Sequence, residues 1–194
     1  MEKIKAAIRS MIEISEDELA SFLEHSKIRT FHSQEILNAS GKVTNDIYFI
    51  NSGILRVFIT DTSGTEHTTH FALENQFVSD YSSFITQNLS VSTLQAIEKT
   101  EIVVIPRKSI EWGYAHLTEG QKMGRLIAEF YFIYQDTRII NQYARTPKQR
   151  YDAITEVFPN IHNRVPQYMI ASYLGISPIH LSRLKKAEYE STKK

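Results

Sequence analysis

The sequence predicts an α+β chain: an N-terminal β-roll of the double-stranded β-helix or jelly-roll type with flanking helices, a long dimerisation helix, and a C-terminal, winged-helix-like helix-turn-helix. Three observations predict it. Residues 27–106 break into short β-rich runs separated by turn residues, and many short strands at close spacing build a sandwich or barrel. In residues 123–144 apolar side chains recur every three or four positions, the spacing of a helical seam. In residues 166–186 small, glycine and apolar positions fall where two short helices folding across a turn need them. The expected domains are 1–116 for the β-roll, 117–145 for the long helix and its hinge, and 146–194 for the helix-turn-helix.

Met1-Glu-Lys-Ile-Lys leads into charged amphipathic sequence, unlike a signal peptide. Ser15, followed three residues later by Glu18, is a capping-box pattern that starts a helix running toward His25. Strands are expected over 47–50, 54–59, 67–71 and 101–105, with turns at Asn51-Ser-Gly53 and Asp61-Thr-Ser-Gly64. After Pro106 the pattern turns helical, and from about Thr118 it stays so. Met123, Leu126, Phe130, Ile133, Thr137 and Ile140 form the seam. The chain holds no second heptad helix, so the expected partner is the same helix of another copy, in a parallel two-fold dimer. The long helix should stop near Tyr143, because Thr146 is a cap and Pro147 begins a new helix. That helix should run to about Val157, where Phe158-Pro159-Asn160 breaks it, and residues 145–147 become the hinge.

Within 166–186, Ala171 sits where two helices cross closely, Gly175 supplies the turn, and Ile170, Leu174, Leu181 and Leu184 pin the pair together. Ser177 is a good N-cap, and Pro178 suits the first helical position. This is the shape that places a recognition helix in the DNA major groove. The residues assigned to double-stranded DNA are Gln167, Tyr168, Ser177, Pro178, Ile179, His180, Ser182, Arg183, Lys185 and Lys186. Arg183 is the candidate base contact, because one guanidinium can bond guanine O6 and N7 together, while flanking side chains hold phosphates.

Charge agrees with this division. The chain balances 22 Lys and Arg against 22 Asp and Glu. Residues 145–194 hold nine basic against four acidic side chains, a net of +5, which leaves 13 against 18, or −5, for residues 1–144. A basic C-terminal part is what attraction to phosphate requires. The absence of cysteine excludes disulfides, thiolate zinc sites and cysteine-ligated iron–sulfur clusters. No apolar run reaches bilayer length. A cytoplasmic protein without a membrane partner is expected.

The order of β domain, long helix and C-terminal helix-turn-helix resembles the Crp/Fnr family of bacterial transcription regulators over essentially the whole chain. The likeness is carried by Ile170-Ala-Ser-Tyr-Leu-Gly-Ile-Ser-Pro178 with Leu181-Ser-Arg-Leu184, and in the N-terminal part by Ile47-Tyr-Phe-Ile-Asn-Ser-Gly53-Ile-Leu-Arg-Val57 and the 61–64 hairpin. The resemblance implies a cyclic-nucleotide-binding-like β-roll that senses an effector, a homodimer, a palindromic DNA site and contact with RNA polymerase. It also places the effector pocket in residues 71–98, with Phe71, Glu74, Asp80, Ser82, Ser83, Ser92 and Thr93 as candidates. The family's pocket carries a Gly-Glu pair for the ribose and an arginine for the cyclic phosphate. This stretch has neither arginine nor lysine, and Glu74, Asp80 and Glu98 give it a charge of −3. A cyclic phosphate would meet repulsion, so no cyclic AMP binding and no cofactor are expected, and the effector is unknown. Pro178 and Ile179 stand where the best-known members carry Arg and Glu, so the operator should differ; few residues after Lys186 are left for a β-hairpin wing.

Two other readings compete with this one. His67-Thr-Thr-His70 with Glu74 faintly resembles the metal motif of cupin barrel enzymes. Residues three apart on a strand point to opposite faces, so the two histidines could share a metal only across a bulge. No metal site and no catalytic residue are expected, since glycine-rich phosphate loops and Gly-x-Ser-x-Gly elbows are also missing. The third reading is a degenerate sensor that binds a protein partner instead of DNA, against which the basic C-terminal charge stands.

Overall fold

The computed structural model describes residues 1–192. Two helices open the chain, α1 (Glu2–Met11) and α2 (Glu16–Leu23). The capping box forms as expected: Ser15 Oγ accepts from the Glu18 amide, and the Glu18 carboxylate accepts from the Ser15 amide. Eight strands follow: β1 (Lys27–Phe31), β2 (Ile36–Asn38), β3 (Asp46–Ser52), β4 (Leu55–Thr60), β5 (Glu66–Ala72), β6 (Phe77–Val78), β7 (Ser92–Ala96) and β8 (Thr100–Pro106), with α3 (Tyr81–Thr86) between β6 and β7. They make two antiparallel four-stranded sheets, β1-β8-β3-β6 and β2-β7-β4-β5.

The four expected strands are β3, β4, β5 and β8. The other four strands are short or mixed in character: Ser92-Thr-Leu-Gln-Ala96 is half polar, β2 has three residues and β6 two. Pairing holds them in place: β1 lies on β8, β6 on β3 and β7 on β4, and β2 pairs in turn with β7. Gly53 makes the β3–β4 turn at φ +99°, and a Cβ there would lie 2.7 Å from the Thr100 Cα. Only glycine fits that crossing.

Three apolar clusters hold the chain together. The first joins α1, α2 and sheet one through Ile4, Ile8, Phe22, Phe49 and Val103. The second fills the roll between the sheets, with Tyr48, Ile50, Leu55, Leu94 and Ile102. The third is shared: Ile54, Phe71, Leu73 and Ile97 of the roll are buried with Phe158, Ile161, Met169, Ile170 and Leu174 of the C-terminal helices. Each fully buried side chain of this size contributes about 1.5–3 kcal/mol.

Helix α4 (Arg107–His116) leads into the long α5 (Gly120–Ala144). Helix α6 (Pro147–Val157) starts at the expected cap, where Thr146 Oγ1 accepts from the Gln149 amide and the Gln149 side chain accepts from the Thr146 amide. A single turn, α7 (Ile161–Arg164), precedes α8 (Gln167–Leu174) and α9 (Pro178–Thr192). Since α9 continues to Thr192, no wing strand follows it among the described residues.

The α5 seam is narrower than its heptad pattern. Met123 is 2% exposed inside the first cluster, and Leu126 packs half-buried against it. The residues open to a partner are Phe130, Ile133, Thr137 and Ile140, flanked by exposed Phe132, Ile139 and Tyr143. The opposite face of α5 is used within the chain: Tyr131 Oη donates to the Ser79 carbonyl, and Arg138 donates to the Thr68 carbonyl.

Candidate nucleic-acid interface

Helices α8 and α9 meet across Gly175, which takes a left-handed conformation (φ 66°, ψ 37°). Its amide donates to the Ser172 carbonyl and that of Ile176 to the Ala171 carbonyl, which closes α8. Ile170, Ala171, Leu174 and Leu181 are buried at the crossing. Ser177 Oγ accepts from the His180 amide at 3.2 Å, so the hydroxyl caps α9 and Pro178 takes its first position.

This geometry leaves one continuous outward surface. Ser177, Pro178, Ile179, His180, Ser182, Arg183 and Lys186 are exposed, as is Tyr168 on α8. Lys185 is half-buried, with Nζ 3.1 Å from Gln167 Oε1, and Gln167 also donates to the His162 carbonyl. Gln167 and Lys185 thus brace each other at the junction of the two helices. Lys186 lies 3.8 Å from Glu190, one turn on.

The helix-turn-helix is fastened to the roll along β5, an edge strand whose outer backbone groups need partners. The β4–β5 register jumps from Val57↔His70 to Phe58↔Thr68, leaving Thr69 as a bulge. Beside it, Ser172 Oγ accepts from the Thr68 amide at 2.8 Å and donates to the Glu66 carbonyl at 3.2 Å. One hydroxyl of α8 therefore caps two groups of the sheet edge. His70 Nδ1 lies 2.6 Å from Tyr134 Oη, which is 3.3 Å from Tyr173 Oη. Burial, with the nearby Arg138 cation, pushes the His70 imidazole down to about 3.

Beyond β5, Arg164 of α7 reaches back to the roll. Its guanidinium donates to both Glu74 oxygens, at 2.6 and 3.1 Å, and to Glu98. The bond from Arg164 is the chief reason the Glu74 carboxyl falls to about 2, with the Gly53 amide adding a smaller contribution. The hinge is braced as well: Arg150 donates to the carbonyls of Leu174, Arg145 and Gln142.

The residues expected at an effector pocket are distributed over several environments. Phe71 is buried against Phe158 and Tyr173, and Glu74 is held by Arg164. Asp80 caps α3, accepting from the Ser83 amide and, at 2.6 Å, from Ser90 Oγ. Ser83 Oγ accepts from the Thr44 amide and donates to the Asn88 carbonyl; the Ser82 carbonyl accepts from Thr86. Ser92 is bonded to Ser90, and Thr93 Oγ1 accepts from the Ser40 amide. A carboxylate of the chain itself thus stands at the start of α3.

The bulge that two metal-binding histidines would need is present, yet they turn to different partners. His67 pairs with Asp61 at 2.7 Å in the exposed hairpin, while His70 faces Tyr134. Among the described residues no group of three or more His, Cys, Asp or Glu is arranged to hold a metal, and no helix is long and apolar enough to cross a membrane.

Residues 28–115 match the family model described as the cyclic nucleotide-binding domain. Solved structures share the fold of nearly the whole chain. FixK2 from Bradyrhizobium japonicum aligns with a TM-score of 0.75 at 12% identity, over 86% of each chain. A transcriptional regulator of the Crp/Fnr family from Eubacterium rectale aligns at 0.70 and 14% identity, over 92% of this chain and 85% of that one. The c-di-GMP responsive global regulator CLP from Xanthomonas campestris aligns at 0.69 and 14%, over 91% and 93%. No curated protein sequence matches the chain. Residues 28–115 are thus similar to a cyclic nucleotide-binding domain, and the chain as a whole has the fold seen in Crp/Fnr transcription regulators, a β-roll with C-terminal helices.

Proposed function

We propose that this chain, built on the fold of Crp/Fnr regulators, is a DNA-binding transcription regulator that acts as a homodimer and reads a palindromic site. The observation that carries the proposal is the exposed row Ile179, His180, Ser182, Arg183 on a helix whose start is fixed by Ser177 and Pro178. Pairing along the exposed side of α5 would bring two such helices to successive major grooves, about 34 Å apart. The β-roll would be the sensing part. A signal acts if it binds two arrangements of head and roll with different affinity.

The effector is not expected to be cyclic AMP. Asp80 already occupies the N-cap of α3, where its carboxylate would meet a cyclic phosphate with like charge. The test of DNA reading is Arg183→Ala against a selected site and against random duplex. Loss of about 1–3 kcal/mol on the selected site alone is expected for a base contact; equal losses on both would refute the role.

A further inference from the structure

Arg164 ends α7, three residues before α8 begins at Gln167, and its fork is shared between two turns of the roll. Glu74 lies between β5 and β6, and Glu98 lies between β7 and β8. All three side chains keep part of their surface in water, at 26%, 30% and 35% exposure.

We propose that Arg164 is a DNA-phosphate contact held out of use by two sensor-domain carboxylates, which present to its guanidinium the oxygens that a phosphate would. The proposal rests on the DNA-binding reading above. In a helix-turn-helix the first helix crosses the DNA backbone, and α8 is that helix here. An arginine at its entry is suited to a phosphate for the same reason that it suits Glu74: two parallel N–H donors match two oxygens on one atom.

The charge at this point depends on the clasp. Closed, one guanidinium stands between two carboxylates and the patch is net −1, which repels a phosphate. Open, Arg164 alone presents +1 three residues ahead of α8, in the same helix-turn-helix that carries Arg183, Lys185 and Lys186 on α9. The acid pair and DNA compete for one guanidinium, so engaging DNA through Arg164 loosens the head from β5. A signal that moves either turn changes how readily this happens, without touching the recognition helix.

The experiment compares the full-length parent, Glu74→Gln/Glu98→Gln and Arg164→Gln on a random 30-base-pair duplex, by fluorescence anisotropy over a salt series. Glutamine at position 74 keeps an acceptor for the Gly53 amide. The double variant should bind more tightly, with a log–log salt slope steeper by about 0.9, one extra phosphate contact. Its advantage then widens about 3.5-fold between about 200 and 50 mM salt. Arg164→Gln opens the clasp but lacks the cation, so its slope should stay at the parent's value. Faster exchange of the Thr68 amide, now held by Ser172, should accompany both variants and shows clasp opening without DNA.

An unchanged slope in the double variant, or a slope steepened equally by Arg164→Gln, overturns the masking while leaving the DNA reading intact. Failure of parent and variants to bind any duplex overturns both. Parental Thr68 exchange in both variants overturns the clasp as the fastening of the head.

Discussion

Single residues fix the shape of the helix-turn-helix. Gly175 takes a φ of 66°, which strains an L side chain, and a Cβ there would also push aside the end of the Gln142 side chain, 2.9 Å away. Gly175→Ala should destabilise the protein by about 1–2 kcal/mol, read as a lower urea midpoint with unchanged m-value. Gly175 was legible in the sequence because its partners Ala171, Leu174 and Leu181 are nearby in the chain. Arg164 was not. Its carboxylate partners lie 90 and 66 residues away, and nothing local to Asn163-Arg164-Val165 signals an ion pair.

Elements are joined where helix side chains satisfy a sheet edge. Strand β5 offers the Thr68 amide and the carbonyls of Glu66 and Thr68 outward, and α8 and α5 answer with Ser172 and Arg138. His70 sits in that joint with a titration point pushed from 6.5 to about 3 by burial. The folded state therefore refuses a proton that the unfolded chain accepts, so stability is full above pH 6.5 and falls as the pH drops toward 3. Glu74 acts in the same direction but lower: its contribution is present above its ordinary 4.5 and is lost as the pH falls toward 2. Between pH 6.5 and 5 the two separate. His70→Gln should flatten the fall of melting temperature with pH in that window; a slope equal to the parent's would show that His70 is not the group.

At the scale of the whole molecule, α5 faces two ways. One side carries Tyr131, Tyr134, Arg138 and Gln142, each bonded to the roll or to α8. The other exposes Phe130, Phe132, Ile133, Ile139, Ile140 and Tyr143 around Asp136, an apolar face of the kind that marks an association surface. Ile133→Glu/Ile140→Glu should give a monomer by sedimentation velocity, with an intact fold by circular dichroism. Its binding to a palindromic duplex should fall to that of a single half-site. A dimer that survives both substitutions would place the interface elsewhere.

Local order and spacing alone determined a great deal: the β-roll, the long helix, the Thr146 cap, the end of α6 at Val157 and the two helices around Gly175. Each depends on residues within a few positions of one another, where period, caps and turn chemistry act. Tertiary structure decided the rest. Polar strands such as β7 exist because a neighbour pairs with them; Met123 leaves the seam because it is buried in the cluster shared by α1, α2 and the first sheet; and the C-terminal helices are tied to the roll by an arginine whose partners come from distant turns. Such contacts are long in sequence and short in space, and only the closed chain brings them together.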